Sequence, residues 1–157
     1  MASGFGVGLR SNPYLILTIF GLWTIMALIA TYLAFRLWRS DPKAHQILDA
    51  AYGALTSDDD KRRAMIRGAL AVSLGSWGPA IAGITIGVDL ARSAPGSVIS
   101  AQAAVVGAVG ILILAVGLLL DWTITNYNRP KPLVPPRLRN EPGFRDVKRL
   151  RGTRSKD

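Results

Sequence analysis

Three long apolar segments constrain this chain more than any other feature of its sequence. They run from Tyr14 to Phe35, from Ala69 to Val88 and from Ala101 to Leu120. Each is about as long as the roughly 20 residues that an α-helix needs to cross the hydrocarbon core of a bilayer. Because a backbone in lipid must satisfy its own hydrogen bonds, segments of this kind predict membrane-spanning helices.

Charged and apolar residues are separated along the sequence. Half of the 157 residues are hydrophobic, yet the formal net charge is +9. The first apolar segment is longer than the roughly 7–15 residues of a signal-peptide core. It is followed by Arg36-Leu-Trp-Arg39 where a signal peptide would have a cleavage site of small residues. We therefore interpret this segment as a retained membrane anchor.

The fold class predicted is an all-α membrane protein with three transmembrane helices, a short amphipathic cytoplasmic helix between the first and second, and a Pro-rich basic C-terminal tail. Asp41-Pro42 is typical of a helix start, and apolar residues recur at helical spacing from Ile47 to Leu55. The predicted divisions are an external N-terminal tail at 1–12, transmembrane helices at 13–38, 68–91 and 98–122, a cytoplasmic connection at 39–67, an external loop at 92–97, and a cytoplasmic tail at 123–157.

The distribution of Lys and Arg predicts the orientation. Of 19 basic residues, the N-terminal tail and the connection near Arg92 carry one each, and the other 17 lie between Arg36 and Arg67 or in the C-terminal tail. The positive-inside rule then places the N-terminus outside and the C-terminus in the cytoplasm. Abundant Ala, Gly and Arg indicate a GC-rich bacterial genome, and insertion with the N-terminus outside and no cleaved signal favours the inner membrane. A mitochondrial inner membrane is the alternative location.

Small residues in the second and third spans predict close helix packing. Gly83 and Gly87 form a GxxxG motif, and Gly107 and Gly110 lie on or near one face of the third span. Backbones can approach closely where side chains are missing at this spacing. The partner is either a second protein chain, which would make these residues an oligomerisation site, or another span of the same chain.

The C-terminal tail combines prolines with basic residues and is expected to be extended and then partly disordered, with a short helix around Phe144 to Arg151 as an alternative. It could contact anionic lipid headgroups or lie as a strap across a neighbouring subunit. With few aromatic residues to stack on bases, it is not expected to bind nucleic acid. The residues assigned to partner or lipid contact are Arg129, Lys131, Pro132, Pro135, Pro136, Arg137 and Arg139.

Acidic residues and the single histidine do not form a recognisable catalytic or metal site. Asp89 and Asp121 are expected at the ends of spans, Asp89 within helical pairing distance of Arg92. The acids from Asp58 to Asp60 are interpreted as a helix cap, and His45 as a solvated side chain. The sequence contains no cysteine, which excludes disulfides and thiolate chemistry.

These features favour a non-catalytic accessory or assembly subunit of a larger membrane complex. Its expected partners are other membrane subunits or a second copy of the chain, together with anionic lipid. No cofactor, metal or small-molecule substrate is expected. The topology, small size and charged tail also resemble one class of phage holins, which implies pore formation as an alternative function. A small transporter is a second alternative.

Overall fold

The computed structural model describes residues 13–93 and 98–154, with side chains to residue 151. The predicted tail at 1–12 and most of the predicted loop at 92–97 lie outside these ranges. No β-strand occurs within them. In chain order the helices are α1 (Pro13–Trp38), α2 (Pro42–Gly53), α3 (Asp59–Arg92), α4 (Ala101–Tyr127), two 3₁₀ turns (Lys131–Leu133 and Pro136–Leu138) and α5 (Phe144–Arg154).

Helices α1, α3 and α4 are long and apolar enough to cross a membrane, which agrees with the predicted three spans and indicates a membrane location. Their environments differ. Within the 18-residue apolar stretch of each helix, the share of residues buried inside the protein is 6% for α1, 44% for α3 and 22% for α4. Helix α3 therefore supplies most of the protein interior along the spans, while α1 and α4 expose most of their apolar surface.

The start predicted for α2 is confirmed. Asp41 precedes the helix, Pro42 occupies its first turn, and Asp41 Oδ1 accepts a 2.8 Å hydrogen bond from the Lys43 backbone N–H. Ser40, just before it, has a φ of 63°, a left-handed conformation that redirects the chain after α1. The Asp41 carboxylate also forms an ion pair with Arg36 at the end of α1.

Helix α3 begins at Asp59, whereas the predicted span begins at residue 68. Asp58 caps it, because its Oδ1 accepts hydrogen bonds from the backbone N–H groups of Asp60 at 3.0 Å and Lys61 at 3.2 Å. This confirms Asp58 as a helix cap and makes the basic segment before the span helical. At the other end of the apolar region, α4 continues to Tyr127, beyond the predicted end at residue 122.

The described residues divide between two compact units, and the first contains residues 13–28, 74–93 and 98–115. Its described part is held by contacts at glycines. A Cβ at Gly83 would overlap the Phe20 ring, and one at Gly87 would lie 2.8 Å from Leu17 Cδ2. Helices α1 and α3 therefore approach closely here. Trp23 Nε1 strengthens the contact by donating a 2.9 Å hydrogen bond to a carbonyl of α3.

The second unit contains, among the described residues, 29–73 and 116–154. One of its apolar clusters joins the end of α1 to α2 and α3. Tyr52 packs on this cluster, whose buried members are Leu37, Ala44, Leu48, Ile66 and Ala69. Burial raises the pKa of the Tyr52 phenol, and the carboxylate of Asp121 raises it further.

The C-terminal segment is folded, although the sequence predicts an extended conformation. Its two 3₁₀ turns are followed by α5, which begins at Phe144, where the alternative of a short helix placed it. Between the turns, Val134 is completely buried and packs with Ala71 of α3 and Ile124 of α4. This apolar contact holds the segment against the second unit's own helices.

Candidate functional site

Asn128 organises the start of the C-terminal segment. It directly follows α4, has a φ of 51° and is 1% exposed. Its Nδ2 lies 2.5–3.3 Å from the carbonyl oxygens of Leu138, Arg139 and Glu141. Asparagine tolerates the left-handed conformation that ends many helices, which is the one sequence signal for this residue. Its amide closes residues 128–141 into a loop.

The residues predicted to contact a partner or lipid lie in this loop, and the structure separates them into two groups. Pro135 is buried, and Arg139 is half-buried with its Nε donating a 3.0 Å hydrogen bond to the Val134 carbonyl. These two residues serve the chain's own fold. The exposed group consists of Arg129, Lys131, Pro132, Pro136 and Arg137.

Arginine–aromatic pairs mark the ends of α1 and α4 in the second unit. The Arg139 guanidinium lies 5.4 Å from the centroid of the Trp38 ring. Arg145 lies 5.6 Å from the ring of Trp122 and 5.3 Å from that of Tyr127, and it donates a 2.6 Å hydrogen bond to the Tyr127 hydroxyl. Cationic groups over aromatic faces are attracted by the ring quadrupole. The C-terminal segment is therefore attached to the last turns of two span-length helices.

Two further pairs lie along the last turns of α1. Arg36 lies 5.5 Å from the Tyr32 ring centroid, and Arg39 lies 4.3 Å from that of Phe35. Both rings are more than half exposed. Aromatic side chains next to long cationic ones are typical of the boundary between hydrocarbon and lipid headgroups.

Ion pairs connect the first turns of α3 to the rest of the second unit. Arg67 is 3% exposed, and its Nη1 donates a 3.1 Å hydrogen bond to Glu141 Oε2. Arg151 of α5 pairs with Asp60 at 2.6 Å. Sequence reasoning missed both pairs, because their members are far apart in the chain and no periodicity connects them.

Arg62 makes a third connection. It pairs with Asp49 of α2 at 2.8 Å and with Asp59 of its own helix at 2.7 Å. Asp59 and Asp60 of the predicted acidic cap thus bind arginines, while Asp58 alone caps the helix.

A crevice of about 480 Å³ lies in the second unit, between the α1–α2 connection and the C-terminal loop. His45 is exposed at this crevice, as its interpretation as a solvated residue requires. No group of three or more potential metal ligands is found among the described side chains. The crevice is lined by Leu37, Ser40, Asp41, Pro42, His45, Gln46, Pro135, Arg137, Leu138 and Glu141.

The acids at the span ends have partners that the sequence did not indicate. Asp89 Oδ2 accepts a 2.8 Å hydrogen bond from the Ser100 backbone N–H, at the start of α4. None of the ion pairs among the described residues joins Asp89 to Arg92, although their spacing would allow one. The Asp121 carboxylate packs directly against Gly68, so that a Cβ built at Gly68 would overlap it. Asp121 Oδ1 also lies 3.4 Å from Thr125 Oγ1.

The four glycines predicted to pack helices all lie in the first unit. Gly83 and Gly87 contact α1, as described above. A Cβ built at Gly107 would lie 3.4 Å from Ile86 Cδ1, which is ordinary van der Waals contact. At Gly110, a Cβ would lie 2.7 Å from Ala82 Cβ and would crowd the backbone of Gly78. The structure thus places these glycines against other spans of the same chain, which is the second of the two alternatives.

An apolar cavity of about 410 Å³ lies beside these contacts in the first unit. Gly83, Gly107 and Gly110 line it together with apolar side chains of α1, α3 and α4. Its lining offers van der Waals contact and almost no hydrogen bonding.

No protein-family model, no curated protein and no solved structure matches this chain.

Proposed function

We propose that this chain is a non-catalytic accessory or assembly subunit of a larger membrane complex. The observation that carries the proposal is Gly21, near the middle of α1. A Cβ built at this position would meet no atom within 4 Å, unlike one at any glycine used for packing within the chain. Glycine in a helix interior is about 1 kcal/mol less favourable than alanine. A helix of another subunit packed against Gly21 would occupy the open space at this glycine, as the Phe20 ring does at Gly83.

The surface around Gly21 supports an interface. Leu22, Ile25 and Met26 are 61%, 54% and 64% exposed. In a membrane these side chains face either lipid or a second protein. Helix association in lipid depends on close packing at small residues, so a glycine among exposed large side chains provides a groove for a neighbouring helix.

The orientation proposed is N-terminus outside and C-terminus in the cytoplasm, in a bacterial inner membrane or, as the alternative, the mitochondrial inner membrane. The strong asymmetry of Lys and Arg supports it. The arginine–aromatic pairs at Tyr32, Phe35, Trp38 and Trp122 add support, because they mark the ends of α1 and α4 that would face the cytoplasm.

The exposed part of the C-terminal loop is proposed to meet anionic headgroups or an acidic face of the partner. Arg129 and Arg137 are exposed cations of this loop, beside the exposed Pro132 and Pro136. Each basic residue near an anionic membrane surface contributes about 1 kcal/mol. Neither a nucleic acid nor a small-molecule substrate is part of the proposal.

Co-purification with a matched pair of variants tests the proposal. Full-length tagged chain is extracted in mild detergent, separated by size and analysed by mass spectrometry. Gly21→Leu fills the proposed groove, whereas Val109→Leu adds a methylene at a position that is 50% exposed on α4. We expect wild type and Val109→Leu to elute with the same second protein, or as a defined oligomer, and Gly21→Leu to elute alone.

Two results would overturn this proposal. One is elution of the wild-type chain as a monomer under all mild conditions. The other is retention of the partner by Gly21→Leu to the same extent as by Val109→Leu. Abrupt loss of membrane potential on induced expression would instead identify a pore former of the holin type.

A further inference from the structure

We propose that a small cavity beside the first turns of α3 binds a phosphate group. The cavity has a volume of about 240 Å³ and lies wholly within the second unit. It is several times larger than the ~30 Å³ that a water molecule occupies in the liquid. Its lining residues are Asp60, Arg63, Arg67, Glu141, Pro142 and Val147.

Arg67 provides the central observation. Its side chain is only 3% exposed, and its partner among the described residues is Glu141. The buried Nε has no hydrogen-bond acceptor in the described part of the chain. A guanidinium carries five N–H donors, and buried donors that lack acceptors destabilise the folded state. Because Nε is enclosed by protein atoms, a ligand in the cavity would accept from the Nη groups of the guanidinium, of which Nη1 already donates to Glu141.

Arg63 provides the second cationic group. It lies one helical turn before Arg67 on α3, lines the same cavity and is exposed. No hydrogen bond or ion pair of Arg63 is found within the described ranges. Its guanidinium is therefore free to turn towards a ligand held by Arg67, and two arginines on one cavity match the bidentate geometry of phosphate oxygens.

The charge balance of the cavity favours an anion. Its two carboxylates are already neutralised, Glu141 by Arg67 at 3.1 Å and Asp60 by Arg151 at 2.6 Å. Two arginines and two carboxylates line the cavity, and Arg151 pairs with Asp60 from outside this lining, which leaves Arg63 as the lining cation without a carboxylate partner among the described residues. A cationic ligand would have to displace an existing ion pair, whereas a phosphate would add acceptors to unused donors.

The position of the cavity relates it to the membrane. Arg63 and Arg67 lie in the charged first part of α3, directly before its apolar stretch. Phospholipid phosphates lie at this depth in a bilayer. The phosphate is therefore either part of an anionic lipid headgroup or part of a soluble phosphate compound that approaches from the aqueous side. The inference does not depend on the function proposed above.

Thermal unfolding of the full-length chain in detergent distinguishes these sources. The probes are dihexanoyl phosphatidylglycerol, dihexanoyl phosphatidylcholine as the zwitterionic lipid control, and sodium phosphate against sodium chloride at equal ionic strength. A ligand of the folded state raises the melting temperature with its concentration. Saturable stabilisation by phosphatidylglycerol alone identifies a lipid headgroup, and saturable stabilisation by sodium phosphate as well identifies the phosphate group itself as sufficient.

Matched variants assign the effect to the cavity. Arg63→Gln removes the free cation, and Lys61→Gln removes the same charge from an exposed residue of the same helix that does not line the cavity. We expect Arg63→Gln to raise the half-saturating probe concentration about tenfold or more, consistent with loss of a charged hydrogen bond. Lys61→Gln should behave as wild type. Arg67→Lys keeps the buried charge but loses the planar donor fork, and should weaken binding similarly.

The proposal is overturned if neither the anionic lipid nor sodium phosphate stabilises the protein saturably. It is equally overturned if Arg63→Gln and Lys61→Gln change the half-saturating concentration to the same extent. Both variants alter exposed side chains, so their melting temperatures without probe should match that of wild type and exclude misfolding as the cause.

Discussion

Single residues decide how the helices of the second unit begin and end. Asp41 and Asp58 accept backbone N–H groups at the starts of α2 and α3, and Asn128 adopts the left-handed conformation after α4. The residue types at these positions predicted the two caps, because short side chains with acceptor oxygens are favoured there. The three carbonyl partners of the Asn128 amide could not be predicted, since they come from a later loop.

Asp41 makes the stability of α2 depend on pH. The Lys43 backbone N–H, followed by the Arg36 guanidinium, lowers the pKa of the Asp41 carboxyl from its usual 3.8. A carboxyl with a lowered pKa contributes its full stabilisation above pH 3.8 and loses it as the pH falls through the lower pKa of the folded state. We expect amide hydrogen exchange in the first turn of α2 to accelerate as the pH falls below 3.8.

Asp41→Asn is the control for this prediction. Asparagine still caps a helix but does not titrate, so the contribution of residue 41 to the pH dependence should disappear. Unchanged acid sensitivity of α2 in Asp41→Asn would show that another group is responsible.

At the scale of helices, the apolar segments predicted α1, α3 and α4 as spans, but not their full lengths. Helical hydrogen bonding continues through the basic segment at the start of α3 and through residues 123–127 of α4. These extra turns carry Arg63 and Arg67 in α3, and Thr125 and Tyr127 in α4. Apolar composition reports burial in lipid, whereas a helix ends where its cap is formed, so the two boundaries need not coincide.

The contact between α1 and α3 predicts a large difference between two glycines of the same unit. Gly83→Leu places a side chain into the Phe20 ring, whereas Gly21→Leu extends into open space. Overpacking of this kind destabilises by about 1–3 kcal/mol. We expect a clearly lower melting temperature of the isolated chain in detergent for Gly83→Leu and no such decrease for Gly21→Leu. Equal melting temperatures would contradict the packing described for α1 and α3.

At the scale of the whole molecule, the absence of cysteine allows the proposed orientation to be tested directly. Val98→Cys and Lys148→Cys each introduce one thiol at an exposed position, before α4 and in α5 respectively. We expect a membrane-impermeant maleimide to label Val98→Cys in intact cells and Lys148→Cys only after the membrane is opened. Labelling of both positions in intact cells would refute the predicted three-span topology.

The sequence by itself determined that this protein has three span-length helices and which segments carry the positive charge. These properties depend on local composition, because hydrocarbon selects apolar runs and caps select short polar side chains. Only the tertiary structure decided that Gly83 and Gly87 face α1, that Val134 is buried, and that Arg67 meets Glu141. Such contacts join residues distant in the chain, and their geometry depends on how the helices pack.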